Sequence, residues 1–255
     1  MASDVELLER GEATLAASWA AYATGVDGAA LHHLAGLVAA VFPSGPERGV
    51  YNNALLERGM TGARRRAAID AMEATYFDAG VEQFAAWVHD SDPAMGSDLE
   101  QRGYHVDTST LAMGSVLGTI DGPPPDLVLA ELAWDDYLRV FDLPPGLLEL
   151  ADRDPFRVLV ALLGDEPVTT AMSFDHLGDC GIYNVGTVER ARRRGLGAAI
   201  TAFQLYQAAD RGCTTASLQA TAMAERVYAA TGFTPLGRYV EYICDGGRPA
   251  VETPS

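Results

Sequence analysis

A run of arginines and glycines in the second half of the chain has the composition of an anion-binding site. The segment Arg192–Gly197 reads RRRGLG, follows an apolar strand-like run and opens a long amphipathic helix. The first four N–H groups of a helix have no partner within the helix and lie at the positive end of its dipole, and glycines let a bulky phosphate approach them. The segment therefore predicts a pyrophosphate-binding turn.

Two common nucleotide-binding motifs do not fit this segment. A dinucleotide-binding turn requires a third glycine three residues after the second, and Ile200 occupies that position. A P-loop requires a lysine, and all 18 basic residues of the chain are arginine. The spacing Arg192-x-x-Gly195-x-Gly197 instead resembles the acyl-CoA motif of the GNAT superfamily of N-acetyltransferases.

The segments around the motif extend the resemblance. Cys180–Val188 predicts a strand, the helical spacing lasts until Arg211-Gly212, and Thr214–Gln219 predicts a second strand. A short helix then ends in a segment that resembles the family pattern Asn-x-x-Ala-x-x-x-Tyr-x-x-x-Gly-Phe. Its positions are filled by Ala224, Tyr228, Gly232 and Phe233, while Thr221 replaces the asparagine.

The resemblance implies both a donor site and a mechanism. It places contacts to acetyl-CoA at Val188, Arg192, Arg193, Arg194, Gly195, Leu196, Gly197, Ala198 and Thr221. A primary amine attacks the acetyl carbonyl directly, and a backbone N–H of Ile182–Val188 polarises that carbonyl where this strand splays from the next. Tyr228 is the expected acid for the departing thiol. Glu189 is the carboxylate candidate for the base, with Tyr183 or Asn184 positioning a water as the alternative.

Composition restricts the class of partner. The chain has 255 residues, 48% of them hydrophobic, and no run approaches the 18 apolar residues of a membrane span. A net charge of −17 argues against nucleic acid as a partner. The N-terminal segment is acidic where a secretory signal is basic, and Cys180, Cys213 and Cys244 have no paired or metal-ligand spacing. We therefore expect a cytoplasmic protein that is a monomer or a homodimer.

An internal repeat organises the chain. Tyr51-Asn52 resembles Tyr183-Asn184, and Ala63–Arg66 resembles Ala191–Arg194. The sequence thus predicts an α/β fold of two tandem GNAT-like domains, each a mixed, mostly antiparallel sheet flanked by helices. The predicted boundaries are 1–121 for a degenerate domain, 122–246 for the catalytic domain and 247–255 for a flexible tail. Gly122–Pro125 is the predicted linker.

The first half of the repeat lacks the chemistry of the second. On this alignment Ala67 and Ile69 stand where the second half has its two glycines, and Leu99 or Glu100 stands where it has Tyr228. Added Cβ atoms would crowd a pyrophosphate, and no hydroxyl would be available as an acid. We expect the first half to have lost its donor site and to complete the acceptor pocket.

Several alternatives remain open at this point. Tandem GNAT chains with one degenerate half also resemble mycothiol synthases, which acetylate a cysteinyl amine. A sensor or scaffold that binds acyl-CoA without transferring the acyl group is the non-enzymatic alternative. His32-His33 and His89–Asp92 lack the further ligands of a metal site, so no metal is expected. Asp175–Asp179 predicts a polar hairpin turn, from which His176 would be a base only if the turn covered the site.

Overall fold

The computed structural model describes residues 2–44, 51–119 and 126–244. The helices are α1 (Asp4–Ala23), α2 (Gly62–Asp78), α3 (Pro93–Glu100), α4 (Trp134–Val140), α5 (Leu196–Asp210) and α6 (Glu225–Ala230). The first strands are β1 (Ala30–Leu34), β2 (Leu37–Val41), β3 (Asn53–Leu56), β4 (Ala85–His89) and β5 (His105–Val116). The later strands are β6 (Leu129–Ala130), β7 (Phe156–Leu163), β8 (Glu166–His176), β9 (Asp179–Thr187), β10 (Thr215–Ala220) and β11 (Thr234–Ile243). None of the described helices has the length and apolar composition needed to cross a membrane.

The chain divides into two compact units that do not follow its linear order. The motif unit comprises Met1–Ser18 and Leu111–Leu236, and the second unit comprises Trp19–Thr110 and Gly237–Ser255. The predicted boundary between residues 121 and 122 does not coincide with a limit of either unit. The units instead divide within β5 and within β11, so that each of these strands contributes residues to both units. The predicted linker Gly122–Pro125 and the predicted tail 247–255 lie outside the described residues.

The motif unit has the mixed, mostly antiparallel sheet that the sequence predicts. Its strand order is β5-β10-β9-β8-β7-β6. The β9–β10 pair is parallel, and the other pairs are antiparallel. Helix α5 connects the two parallel strands and packs on β8 and β9 through the buried side chains of Ile200, Gln204 and Leu205. The predicted strands around the motif and the predicted helix end at Arg211-Gly212 are confirmed.

The second unit repeats this arrangement. Its strand order is β1-β2-β3-β4-β11, with β3 parallel to β4 and the other pairs antiparallel. Helix α2 connects the parallel pair and buries Ile69, Met72 and Tyr76 in a core with Val88 and Leu99. The order strand, helix, strand, helix, strand is thus shared by β3-α2-β4-α3-β5 and β9-α5-β10-α6-β11.

Matching backbone hydrogen bonds align the two units. The N–H of Tyr104 donates to the Leu99 carbonyl, and the N–H of Phe233 donates to the Tyr228 carbonyl, both at 3.1 Å. Leu99, which is fully buried, therefore occupies the position that Tyr228 has in the motif unit. This contact decides between the two counterparts that the sequence left open.

The predicted counterparts of the glycines need a correction. Arg64–Arg66 lie inside the first turn of α2, whereas Arg192–Arg194 precede α5. Ala67 and Ile69 are consequently within the body of α2, and Ile69 is a fully buried core residue. Matching the two arginine clusters in sequence gave the wrong counterparts, because α2 begins before its arginines whereas α5 begins after them.

Candidate functional site

The motif forms a tight turn ahead of α5. Glu189–Ala191 make one 3₁₀ turn after β9, Arg193 has a φ of 62°, and the N-cap residue Gly195 has a φ of 76°. A left-handed backbone favours glycine, so Gly195 is required by the turn itself. The N-cap provides no side-chain hydrogen bond to the helix. The first helical bond joins Ala199 N–H to the Gly195 carbonyl, which leaves the N–H groups of 196–198 to an outside acceptor.

Neither backbone strain nor packing requires a glycine at position 197. It does not have a positive φ, and a Cβ built there would meet only Thr187 Oγ1, at 3.8 Å. That distance is ordinary van der Waals contact, so the fold itself would tolerate a side chain. The missing Cβ leaves open space beside the free N–H groups of α5, as the approach of a bulky anion requires.

Three arginines supply positive charge at this turn. Arg192, Arg193 and Arg194 are all exposed. The guanidinium Nε of Arg192 donates to the Thr187 carbonyl at 3.0 Å, which fixes this side chain along the end of β9. The same end of the helix thus combines unpartnered N–H groups, a positive helix dipole and exposed cationic side chains, a combination suited to a diphosphate.

The two parallel strands of the motif unit separate beyond their first residues. Pairing runs from Asp179–Gly181 to Thr215–Ser217 and ends there, although β9 continues to Thr187 and β10 to Ala220. Alternate peptide groups of a strand face each neighbour, so those of β9 that face β10 lose their strand partner after Gly181. This gap supplies the exposed backbone groups that the sequence analysis expects within Ile182–Val188.

A β-bulge marks the middle of this stretch. Two residues of β9, Asn184 and Val185, stand opposite the single residue Ala171 of β8. Asn184 has a φ of 48°, a left-handed conformation that asparagine tolerates better than most residues. Bulges re-aim backbone groups and concentrate near functional sites. The bulge therefore changes the direction of the β9 peptide groups where β9 and β10 have separated.

Tyr228 lies on α6 within the apolar core of the motif unit. Its side chain belongs to the cluster that holds Ile182 of β9 and Leu218 of β10, and its ring meets Phe233 edge-on at 6.1 Å between centroids. Burial raises the pKa of Tyr228 to about 12. Its hydroxyl consequently stays protonated at neutral pH and can act as a hydrogen-bond donor.

The other predicted site residues are distributed along the same elements. Glu189 is exposed at the start of the 3₁₀ turn, and its carbonyl accepts from Arg192 N–H at 3.2 Å. Val188 uses its own N–H in a bond to the Val168 carbonyl at 2.9 Å. Thr221 is exposed directly after β10, and its carbonyl accepts from Ala224 N–H.

Tyr183 is turned into the protein. Its hydroxyl is hydrogen-bonded to Ser18 of α1, and burial raises its pKa. This hydrogen bond joins β9 to α1. The hydroxyl of Tyr183 therefore has a protein partner, whereas the alternative considered from the sequence assigns it a water. Leu177 and Gly178 have φ values of 47° and 81° and form the predicted hairpin turn, with His176 at its start.

The histidines considered for metal binding belong to the second unit. His32 and His33 are on β1, and the ring of the buried His89 contacts Ser91 Oγ through Nδ1 at 2.8 Å. In the part of the chain that the structure describes, no three His, Cys, Asp or Glu side chains converge as metal ligands would.

Three residues on the face of the sheet opposite α5 have no signal in the sequence. Thr187 faces α5, where its hydroxyl lies 3.0 Å from that of Thr169, so the preceding residue Gly186 faces the opposite side. Gly186 is paired with Thr170 of β8, and Tyr137 of α4 packs near them. No motif contains these residues, and their strand partners are visible only in the sheet.

Comparison with known proteins supports the fold. Residues 127–233 match the model of the Acetyltransferase (GNAT) family. No curated protein matches the chain significantly. Among solved structures, a GCN5-related N-acetyltransferase from Kribbella flavida superimposes with a TM-score of 0.63 at 18% identity, covering 91% of this chain and 96% of its own.

Two further structures show the same fold. A GCN5-related N-acetyltransferase from Sphaerobacter thermophilus gives a TM-score of 0.60 at 19% identity and covers 89% of this chain and 85% of its own. A fungal GCN5-related glucosamine N-acetyltransferase region gives 0.57 at 12% identity, with 95% of this chain and 37% of that chain covered. At these identities the similarity establishes the fold alone.

Proposed function

We propose that the chain transfers an acetyl group from acetyl-CoA to the primary amine of a small molecule, starting from the match of residues 127–233 to the model of the Acetyltransferase (GNAT) family. The observation that carries the proposal is the start of α5. Its N–H groups, its arginines and the open space at Gly197 together suit the diphosphate of coenzyme A. Val188, Leu196, Ala198 and Thr221 complete the proposed donor contacts.

The separation of β9 from β10 supports a site for the pantetheine arm. An extended amide chain can pair with backbone groups that have lost their strand partner, as an added strand would. The thioester carbonyl then lies against β9, and a β9 N–H near the bulge at Asn184 donates to the oxygen that becomes negative when the amine attacks. Removing one such donor typically costs an enzyme about 10²- to 10³-fold in kcat.

Two proton movements limit this chemistry. An alkylamine has a pKa of about 10.4, so freeing its lone pair at pH 7 costs roughly 4 to 5 kcal/mol. The carboxylate proposed as the base is Glu189. The leaving thiol has a pKa of about 8.5, well below the value of about 12 for Tyr228. Tyr228 therefore donates a hydrogen bond to the developing thiolate and passes its proton only as the attacking nitrogen releases one.

The cysteines support a reducing compartment. Cys180 and Cys213 are buried thiols outside any disulfide, and burial raises the pKa of both, that of Cys213 to about 11. Such thiols are protonated and unreactive at neutral pH. Cysteines outside disulfides are usual in a reducing compartment, and we extend the proposal to a cytoplasmic protein on this ground.

Thiol release with acetyl-CoA and a panel of amines tests the proposal. The panel contains simple alkyl and aryl amines, a cysteinyl amine and glucosamine, the last because one structural neighbour is described as a glucosamine N-acetyltransferase region. Amine-dependent release that disappears in the Gly197→Val variant supports the proposal. Release with the cysteinyl amine alone would favour the mycothiol-synthase-like alternative, and acetyl-CoA binding without release from any amine would favour the sensor.

A further inference from the structure

Two threonine hydroxyls lie side by side where β9 ends against the start of α5. Thr187 is the last residue of β9, and its strand partner on β8 is Thr169. Their hydroxyl oxygens are 3.0 Å apart. Thr169 is fully buried, whereas Thr187 is half-buried. Of the two, Thr187 is therefore the residue that a ligand can reach.

The Thr187 hydroxyl borders the space that is left open at Gly197. A Cβ built at Gly197 would have Thr187 Oγ1 as its neighbour, at 3.8 Å. The first helical hydrogen bond of α5 is the one to Ala199 N–H, so the free N–H groups of 196–198 adjoin the same space. A ligand held by these N–H groups therefore passes within contact distance of the Thr187 hydroxyl.

A neighbouring carbonyl sets the direction of the hydrogen bond between the two threonines. The Thr169 hydroxyl lies 2.8 Å from the Gly186 carbonyl oxygen, which can only accept, so Thr169 donates its single proton there. The bond between the two hydroxyls must then be donated by Thr187. Thr187 thus uses its proton on Thr169 and offers only lone pairs to a third group.

The backbone acceptors around Thr187 are already engaged. The carbonyls of Gly186, Thr187 and Val188 accept hydrogen bonds at 2.8, 3.0 and 2.9 Å. Two of the donors are side chains, the Thr169 hydroxyl and the Arg192 guanidinium. The Thr187 hydroxyl oxygen is therefore the acceptor best placed to receive a further donor at this end of β9.

A hydroxyl that only accepts selects the chemistry of the group beside it. An ionised phosphate oxygen also only accepts, so it makes no hydrogen bond with Thr187 while Thr187 donates to Thr169. Turning the Thr187 proton toward a phosphate would remove the hydrogen bond that the buried Thr169 oxygen accepts, which is unfavourable. The helix N–H groups thus suit the phosphate oxygens, and Thr187 suits an O–H or N–H that is carried next to them.

We propose that Thr187 binds the pantetheine arm of the acyl donor where the arm leaves the diphosphate. Its oxygen accepts a hydrogen bond from the pantetheine hydroxyl, the donor group of the arm that lies nearest the diphosphate. The inference rests on the proposed function for the identity of the donor as acetyl-CoA. Thr187 is thereby a specificity-determining residue, because it distinguishes a coenzyme A thioester from a nucleotide that has the same diphosphate without the arm.

Calorimetry on the full chain with a matched pair of ligands tests the inference independently of turnover. Dephospho-coenzyme A and ADP share the adenosine and the diphosphate, and only the former carries the pantetheine arm. The titrations are run at about pH 8, where the terminal phosphate of ADP is ionised.

Thr187→Val keeps the shape of the side chain and removes the hydroxyl. It should weaken acetyl-CoA and dephospho-coenzyme A about 3- to 10-fold, as the loss of one hydrogen bond predicts, and leave ADP unchanged. Thr187→Ser should bring all three affinities to within about 2-fold of the parent protein, because it retains the acceptor oxygen. Thr75→Val removes a half-buried hydroxyl of the second unit and should leave every affinity unchanged.

The outcomes separate this inference from the proposed function. Equal weakening of ADP and dephospho-coenzyme A by Thr187→Val, or unchanged affinity for all three ligands, would overturn the inference even with thiol release intact. A Thr187→Ser variant that binds as weakly as Thr187→Val would also overturn it, because the loss would then come from packing. Selective weakening of the ligands with the arm, without thiol release from any amine, would support the role of Thr187 and contradict acyl transfer. A parent protein that binds no acetyl-CoA would contradict both.

Discussion

At the scale of single residues, the two glycines of the motif are present for different physical reasons. Gly195 is fixed by its left-handed backbone, so replacing it strains the turn ahead of α5. Gly197 has an ordinary backbone and a vacant position for a Cβ. A substitution at Gly195 therefore mixes folding and binding effects, whereas one at Gly197 reports on the proposed donor site alone.

Tyr228→Phe tests the proposed donor to the thiolate. The variant keeps the ring that packs against Phe233 and removes only the hydroxyl. We expect kcat to fall about 10²-fold, in the range typical of a lost general acid, with little change in the dissociation constant of acetyl-CoA. Steady-state kinetics beside calorimetry measures both. Unchanged turnover would show that Tyr228 is a packing residue.

The residues proposed for the donor site form a motif that is visible in the sequence. Arg192, Gly195 and Gly197 lie within one six-residue segment, so their spacing carries the information that places them together. Thr169 and Thr187 come from different strands, and only the pairing of β8 with β9 brings them close. Such cross-strand proximity has no signature in local sequence.

At the scale of elements, the far end of α5 is held by an ion pair. Arg211 donates to the Asp175 carboxylate from Nε at 2.6 Å and from a terminal nitrogen at 2.9 Å. Burial raises the pKa of Asp175, but hydrogen bonds from Arg211 and Cys180 and the charges of Arg211 and Arg157 together outweigh it, so the pKa is lowered. The bidentate geometry anchors α5 to β8 and thereby holds the helix whose start forms the cradle.

Arg211→Gln should therefore destabilise the protein in a pH-dependent way. A carboxyl with a lowered pKa stabilises the fold above its unfolded value of about 3.9, and the contribution is lost as pH falls through the folded value. We expect a loss of about 1 kcal/mol at pH 7 that shrinks below about pH 4. Urea unfolding at several pH values measures it. Arg139→Gln, which breaks an exposed pair with Asp136, is the control and should cost less.

A pH-independent difference between Arg211→Gln and the parent protein would contradict this account of α5. It would mean that the guanidinium stabilises the helix end by packing and not through the Asp175 carboxylate.

At the scale of the whole molecule, chain order and spatial order differ. The helical pattern of α5 and the apolar run of β9 were sufficient to predict each element, because those signals are local. The division at residues 121 and 122 assumed that each domain is continuous. The residues 111–116 instead pair with β10, and the beginning of α1 also belongs to the motif unit. Pairing between strands that are distant in the sequence leaves no signal in the local sequence pattern.

Gly114→Leu tests the membership of these residues in the motif unit. A Cβ at Gly114 would lie 2.9 Å from Leu236 Cδ1 and 3.0 Å from Leu7 Cβ, so a larger side chain must displace the start of α1 or β11. Overpacking typically costs about 1 to 3 kcal/mol. We expect a lower melting temperature and weaker acetyl-CoA binding, although the residue precedes the motif by about 80 positions. Gly118→Leu, in open space, is the control.

If Gly114→Leu leaves both melting temperature and acetyl-CoA affinity unchanged, the strand 111–116 contributes nothing to the unit that holds the motif. By the same reasoning, residues 122–255 expressed alone lack this strand and the beginning of α1, and we expect that fragment not to fold.

The central claim is that the chain has one acetyl-CoA site, at the start of α5, and calorimetric titration of acetyl-CoA into the full chain tests it most directly. The account predicts one site per chain, abolished by Gly197→Val because the added side chain fills the space beside the helix N–H groups. Gly118→Val should bind as the parent does. A stoichiometry of two, or unaltered binding to the Gly197→Val variant, would contradict the account.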